Sequence, residues 1–286
     1  MTANSLRLGR EVLDITCRPL VMAIINRTPD SFSEKGKYFS LDKFMARAQE
    51  VVLEGADIFD VGGVKAGPGP TVTEQEEMDR VVPAIEKLVA NFDLPVSVDT
   101  WNANVARESF KAGACVGNDI SGFQDPHYLT VAGEFEATVV ATHIRLAPRV
   151  ADPDPQYDDL KGDVISKLQG LADLAHRAGL GREQVMLDAG LDLGKTSAQS
   201  LELFRATGNL VDLGYPVLLS ASNKTFLGDL LGLDVDQRED CSIAACGLAV
   251  ASGARILRVH HVAGTRKVCD GLEMILAKSK ELVEGP

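Results

Sequence analysis

A chain of 286 residues, 45% apolar and 24% charged, with no low-complexity tract, has enough material for one large core and is not a disordered protein. Its formal net charge of -12, with no dense run of Lys or Arg to oppose it, argues against nucleic acid and anionic membrane as partners. A small anionic ligand remains compatible with that surface, because a local cluster of donors can oppose the global sign.

Five cysteines, Cys17, Cys115, Cys241, Cys246 and Cys269, are scattered, with no Cys-x-x-Cys pair. That pattern fits neither a disulfide framework nor structural zinc and points to a reducing compartment, so the expected location is the cytoplasm. Residues 1–20 carry charges of both signs without a continuous apolar stretch, and the apolar run 243–251 is too short to span a bilayer.

From the N-terminus, residues 1–19 read as a polar lead-in. Short apolar runs then recur, each ending on polar residues: 21–25 before Asn26, 56–61 around Asp60, 96–98 before Asp99 and 115–117 before Asn118. Four more follow, 138–142 before His143, 185–187 before Asp188, 217–219 before Ser220 and 256–259 before His260. Runs apolar on both faces are what buried parallel strands look like. Amphipathic stretches separate them. Residues 41–54 place Leu41, Phe44, Met45, Ala48 and Val51 at helical steps, with Ser40 as N-cap and Gly55 beyond the end. Residues 73–89 repeat the pattern behind an acidic first turn, and 102–112, 163–178, 198–213, 238–252 and 262–282 fill most of the remaining slots. The segment between Asn118 and Thr138 carries the weakest helical signal. Eight such units predict a single-domain α/β fold, a (β/α)8 TIM barrel.

Such a barrel gathers the carboxyl ends of all its strands on one face, so strand-ending polar residues far apart in sequence converge there. Asp99, Asn118 and Asp188 offer two carboxylates and an amide, suited to the edge of an amino-substituted heterocycle, and Lys224 adds a cationic donor. Arg258 and His260 alternate toward one side of the last strand as an anion subsite, which Asn26 would complete directly or through Mg2+. The segment from Asn26 to Gly36 reads as a functional loop. Residues 62–70, rich in Gly and Pro, bring backbone close to a ligand without being a nucleotide-binding fingerprint, and 146–159 form a long polar excursion. His143 is either a site residue or a satisfied core histidine. No nucleophile elbow and no His pair spaced for a metal occurs, which leaves covalent and zinc catalysis without support.

With Thr28-Pro29-Asp30-Ser31-Phe32-Ser33, Asp60-Val61-Gly62-Gly63, Ser97-Val98-Asp99-Thr100, Asn118-Asp119-Ile120-Ser121-Gly122, residues 188–195, residues 222–226 and Arg258-Val259-His260 all in order, the chain resembles dihydropteroate synthase over nearly its whole length. The resemblance implies a transferase that joins 6-hydroxymethyl-7,8-dihydropterin pyrophosphate to 4-aminobenzoate, releasing pyrophosphate in folate biosynthesis, with Mg2+ and as a homodimer. It implies Asp99, Asn118, Asp188 and Lys224 at the pterin ring, Asn26 with magnesium, and Arg258 and His260 at pyrophosphate. It further implies Phe32, Pro68 and Thr225 near aminobenzoate. Asn26, Asp99, Lys224, Arg258 and His260 are then the catalytic set.

The departures from the family's pattern cluster. Val64-Lys65-Ala66-Gly67-Pro68-Gly69 stands where the family carries Glu-Ser-Thr-Arg-Pro-Gly, so an Arg near pyrophosphate and a Thr near aminobenzoate are gone, and Lys65 supplies charge there without a guanidinium fork. Asn223 replaces the usual Arg before the ring-binding Lys, Glu34 a loop-one Asp, Thr142-His143-Ile144 a Met-His-Met-like run, and His261 a common Asp. The alternatives are a divergent homologue that binds pterin but uses another nucleophile, and a pterin-binding protein without catalysis. Pterin-dependent methyltransferases are disfavoured, since Asn26, Arg258 and His260 would serve no purpose in them.

Overall fold

The computed structural model of the protein describes residues 3–28 and 41–281, the side chains of 276–281 excepted. Most of the Asn26 to Gly36 loop, including Phe32 and Glu34, and the Ser40 cap lie outside the described residues.

Two short strands open the chain, β1 (Ser5–Leu8) and β2 (Glu11–Asp14), paired antiparallel with Leu6 opposite Leu13. Eight parallel strands follow: β3 (Leu20–Ile24), β4 (Ile58–Gly62), β5 (Val96–Asp99), β6 (Val116–Asp119), β7 (Thr138–Thr142), β8 (Val185–Asp188), β9 (Leu218–Leu219) and β10 (Ile256–Val259). Their order is β8-β7-β6-β5-β4-β3-β10-β9, and a single parallel bridge from Leu187 to Val217 completes the ring between β8 and β9. The expected TIM barrel is the fold.

Helices α1 (Leu41–Leu53), α2 (Glu74–Asn91), α3 (Ala103–Lys111), α4 (Tyr128–Glu134) and α5 (Leu160–Arg177) lie in the crossovers. They are followed by α6 (Ser197–Arg205), α7 (Thr207–Val211), α8 (Thr225–Leu231), α9 (Glu239–Ala251) and α10 (Val262–Glu281). Capping sets several starts: the Thr73 hydroxyl accepts from Glu76 N at α2, and Thr196 and Gln199 form a reciprocal capping box at α6. The single helix expected over 198–213 is instead α6 and α7, broken at Ala206 where the Thr207 hydroxyl bonds back to Phe204 O (2.6 Å). Helix α4 has two β-branched residues and a glycine among its seven and forms through burial of Tyr128, Val131 and Ala132. No described helix is long and apolar enough to cross a membrane.

The core has two layers. Outward-facing strand residues such as Val21, Phe59, Val98, Val139, Leu187 and Leu257 pack on the helices. Inward-facing Met22, Ile58, Val116, Val140, Met186 and Ile256 fill the lower barrel, and there Leu6, Leu8 and Ile15 of the N-terminal hairpin join them. The polar lead-in of the sequence is thus a plug: alternation in β1 leaves Arg7 half-buried and buries Leu6 and Leu8 beneath the barrel. Ile15→Ala, a truncation of a fully buried side chain in that plug, is expected to lower stability by about 2–5 kcal/mol in urea unfolding, with an unchanged fold by circular dichroism.

Candidate functional site

The inward face of most strands is apolar at the bottom and polar at the top. Two residues above Ile58 stands Asp60, above Val116 stands Asn118, above Met186 stands Asp188 and above Ile256 stands Arg258, while Asp99 tops β5 two residues beyond Ser97. The register aligns these tops: Asp60 is opposite Ser97, and Asp99 is opposite both Gly62 and Asn118. The period of two that packs the lower barrel therefore also delivers the polar residues to one mouth.

Asp60 is the hub. With no exposed surface, it accepts from Ser97 Oγ (2.6 Å) and Arg258 Nε (2.7 Å), and Asn118 Nδ2 lies 3.4 Å from both of its oxygens. Arg258 turns its other arm to Asp99, donating from an Nη to Oδ2 at 2.6 Å. The guanidinium is thus held between two carboxylates, which keep it protonated. Burial pushes the Asp99 carboxyl up to about 7, against the pull of Arg258. Because Asn118 turns its amide NH2 to Asp60, its carbonyl oxygen is the group left for a ligand.

The loop after β8 is built around a buried lysine. Lys195 Nζ lies 2.9 Å from His143 Nδ1 and donates to the carbonyl oxygens of Gly190 (2.9 Å), Leu193 (3.0 Å) and His143 (3.2 Å). Burial lowers the ammonium to about 7, and burial followed by the Lys195 charge lowers His143 to about 3, so His143 is a neutral acceptor of the lysine proton. Gly190, at φ +64, is required there, since a Cβ would lie 2.0 Å from His143 O. Its N–H donates to Asp188 Oδ1 (2.8 Å), and burial raises the Asp188 carboxyl. His143, buried and bonded to Lys195, is the satisfied core histidine of the two readings, and it helps fasten the loop that carries Asp188.

Across the mouth, Lys224 precedes α8. Its ammonium has no hydrogen-bond partner among the described residues, is lowered by burial, and is supported by the charges of Asp192 and Asp188. Thr225, exposed, uses its backbone N–H on Asp192 Oδ2 (2.5 Å). At the end of β3, Asn26 accepts Gly62 N–H on Oδ1 (3.0 Å), and a Cβ at Gly62 would stand 2.7 Å from that oxygen. Ser222 accepts the His260 backbone N–H and lies 3.1 Å from His260 Nδ1. Although part of His260 faces solvent, burial of the ring, with Arg258 next in weight, lowers its pKa and favours the neutral form.

The structure brings Asp99, Asn118, Asp188, Lys224 and Arg258 into one electrostatic group, with Asn26 and His260 at adjacent strand ends. Lys65 and Pro68 lie on the exposed loop after β4, which is tied through Ala66 O and Pro70 O to Arg149 of the long excursion. Asp60, named in the sequence only as a strand residue, was missed as the centre; its place in an otherwise apolar run was the available signal. Two departures from the family pattern touch each other: His261 Nε2 lies 3.3 Å from Asn223 Oδ1, and its Nδ1 3.4 Å from Glu239. Among the described residues no group of three His, Cys, Asp or Glu could hold a metal, and the oxygen of Asn26 already accepts a proton from Gly62.

Comparison with known proteins decides the family. A model described as "Pterin binding enzyme" matches residues 22–260. The chain belongs to the pterin-binding enzyme family. It is 44% identical over 264 residues, 90% of each chain, to a Mycobacterium leprae (strain TN) protein named "Inactive dihydropteroate synthase 2". It is 39% identical over 263 residues to the Bacillus subtilis (strain 168) "Dihydropteroate synthase", covering 91% of this chain and 90% of the other. Among solved structures, Yersinia pestis dihydropteroate synthase with a sulfonamide drug superposes with a TM-score of 0.90 at 36% identity, over 96% of this chain and 99% of that one. The resemblance read from the motifs is borne out: this is a dihydropteroate synthase homologue.

Two outcomes follow from the site's charges. Asp60→Asn leaves the Arg258 guanidinium buried beside a weakened partner and is expected to cost about 3–5 kcal/mol, read by urea unfolding, whereas Ser97→Ala, which removes one hydrogen bond, costs about 1 kcal/mol. For His143 the folded value of about 3 lies below the ordinary 6.5, so its contribution to stability is full above pH 6.5 and is lost as pH falls toward 3. Between those limits His143→Gln is expected to lose less stability than the parent chain, by up to ~1.4 kcal/mol per pH unit in denaturation series.

Proposed function

We propose that the chain binds 6-hydroxymethyl-7,8-dihydropterin pyrophosphate in the barrel mouth, and that its altered second loop makes it a poor synthase toward 4-aminobenzoate. One observation carries the ring-binding half: Asp99, Asn118, Asp188 and Lys224, drawn from four β/α units, form a single electrostatic group around Asp60 and Arg258. Asp188 and Asp99 accept N–H groups of the aminopyrimidine edge, the free oxygen of Asn118 accepts a further one, and Lys224 donates to a ring carbonyl or nitrogen.

Asn26, Arg258 and His260 stand where the pyrophosphate end would lie. As its C–O bond breaks, charge builds on the leaving pyrophosphate, and fixed donors there stabilise it before an amine attacks the methylene carbon. Magnesium, in this reading, arrives with the pyrophosphate. For the amine the support is weaker: the Arg and Thr that the resemblance places in the second loop are replaced by Gly67 and Ala66. A working synthase is the second reading, favoured by retention of Asn26, Arg258 and His260, and a homodimer is proposed for either.

Calorimetry with the pterin pyrophosphate is expected to show binding that Asp188→Asn weakens about tenfold or more, the loss of one charged hydrogen-bond acceptor. Equal affinity in the variant would sink the ring assignment. Pyrophosphate release with 4-aminobenzoate is expected near background; sustained turnover selects the second reading.

A further inference from the structure

The turn after β8 has three residues in the left-handed region, Gly190 at φ +64, Asp192 at φ +66 and Gly194 at φ +63. A turn with that much left-handed backbone, one residue of it not glycine, needs contacts from outside to keep its shape. One charge supplies them. Lys195 Nζ meets Gly190 O and Leu193 O of the turn and both the carbonyl oxygen and Nδ1 of His143 at the end of β7, all between 2.9 and 3.2 Å. Asp188 is held between the same two segments: its carbonyl accepts His143 N–H (3.0 Å) and its carboxylate accepts Gly190 N–H (2.8 Å). The cage around Nζ suits an ammonium, whose three N–H groups serve a shell made only of acceptors, whereas a neutral amine turns its lone pair on one of them. The charged form is costly there, since burial lowers the Lys195 ammonium to about 7. An apolar chain of the same length would fill the space without that cost, so packing alone does not account for the charge.

We propose that Lys195 is a positioning residue for ring binding: its ammonium holds the turn after β8 in the shape that presents Asp188, so that the ring and the lysine proton bind together. The inference rests on the pterin-binding reading, in which Asp188 meets the ring. Linkage gives the sign: if the ring binds the protonated form more tightly, affinity is full below pH 7 and falls as the ammonium is lost above it. The groups that act on Lys195 are Asp188 from β8, Asp192 in the turn and Lys224 across the mouth, with neutral His143 in contact and Lys167 of α5 acting on that histidine. Asp99 loses its proton in the same range, but Lys195 is not among the charges that act on it, so its share of the pH dependence is common to the parent and to Lys195 variants.

The test is calorimetry with 6-hydroxymethyl-7,8-dihydropterin on the full chain, from about pH 6 to about pH 9, for the parent, Lys195→Met, Lys195→Arg and Asp188→Asn. Lys195→Met fills the same space without charge and is expected to bind about tenfold more weakly than the parent at about pH 6, and within about twofold of it at about pH 9. Lys195→Arg stays charged throughout, so its affinity relative to the parent is expected to rise about tenfold over the same range. Circular dichroism checks that each variant is folded, and Lys195→Arg decides the matter if Lys195→Met is not. A loss in Lys195→Met that is the same at every pH marks a merely structural residue and overturns the proposal, as does a ratio of Lys195→Arg to parent that does not change with pH. Parent binding that Asp188→Asn weakens and Lys195→Met leaves intact overturns this inference alone. No binding by the parent at any pH overturns the ring reading and this inference with it.

Discussion

A carboxylate with no exposed surface survives inside this barrel because Arg258, Ser97 and Asn118 all turn toward it. Taken singly, each partner of Asp60 would be a modest bond. Together they satisfy a charge that would otherwise carry a large desolvation penalty, and they fix the orientation of every group they involve. Arg258 cannot rotate without leaving two carboxylates, and Asn118 cannot flip its amide without losing its donor to Asp60. The mouth is consequently prearranged. In the proposed reading its ligand-facing groups are the oxygen of Asn118, the carboxylates of Asp99 and Asp188, and the ammonium of Lys224.

Much of this was legible in the sequence because burial writes a simple pattern. Strands covered on both faces read as apolar runs, and β7 and β10 have the bounds their runs predicted. The polar residue at the end of each run located the mouth. What was not legible had weak or misleading local signals. The N-terminal hairpin looked polar because β1 buries only alternate residues and β2 brings only Leu13 against the core. Helix α8, seven residues ending at Gly232 in the left-handed region, carries no long amphipathic stretch. The clasp of Lys195 on His143 joins residues 52 apart through backbone carbonyls, which no composition records.

The departures from the family's pattern also change meaning once placed in space. Asn223 and His261 look like two independent departures along the chain; folded, they are neighbours, with His261 Nε2 3.3 Å from Asn223 Oδ1. The second loop is different: Lys65, Ala66 and Gly67 are exposed, Val64 is buried, and the loop is linked through Ala66 O and Pro70 O to the 146–159 excursion. The departures thus lie at the rim, while the group around Asp60 keeps the residue types the resemblance implies. Such a distribution suits a protein whose relatives include both a named synthase and a protein named inactive.

The ring of strands is unevenly stitched. Most neighbouring pairs share three or four aligned residues, but β9 has only two, and between β8 and β9 the backbone is joined by one bridge, Leu187 to Val217. Asp188 stands on one side of this seam, and Lys224 follows the strand on the other. A small molecule gripped by both would act as a stitch across the gap, tying the barrel together where its own backbone ties it least. Occupancy of the mouth and resistance of the whole fold to opening would then be one equilibrium, read at a single seam.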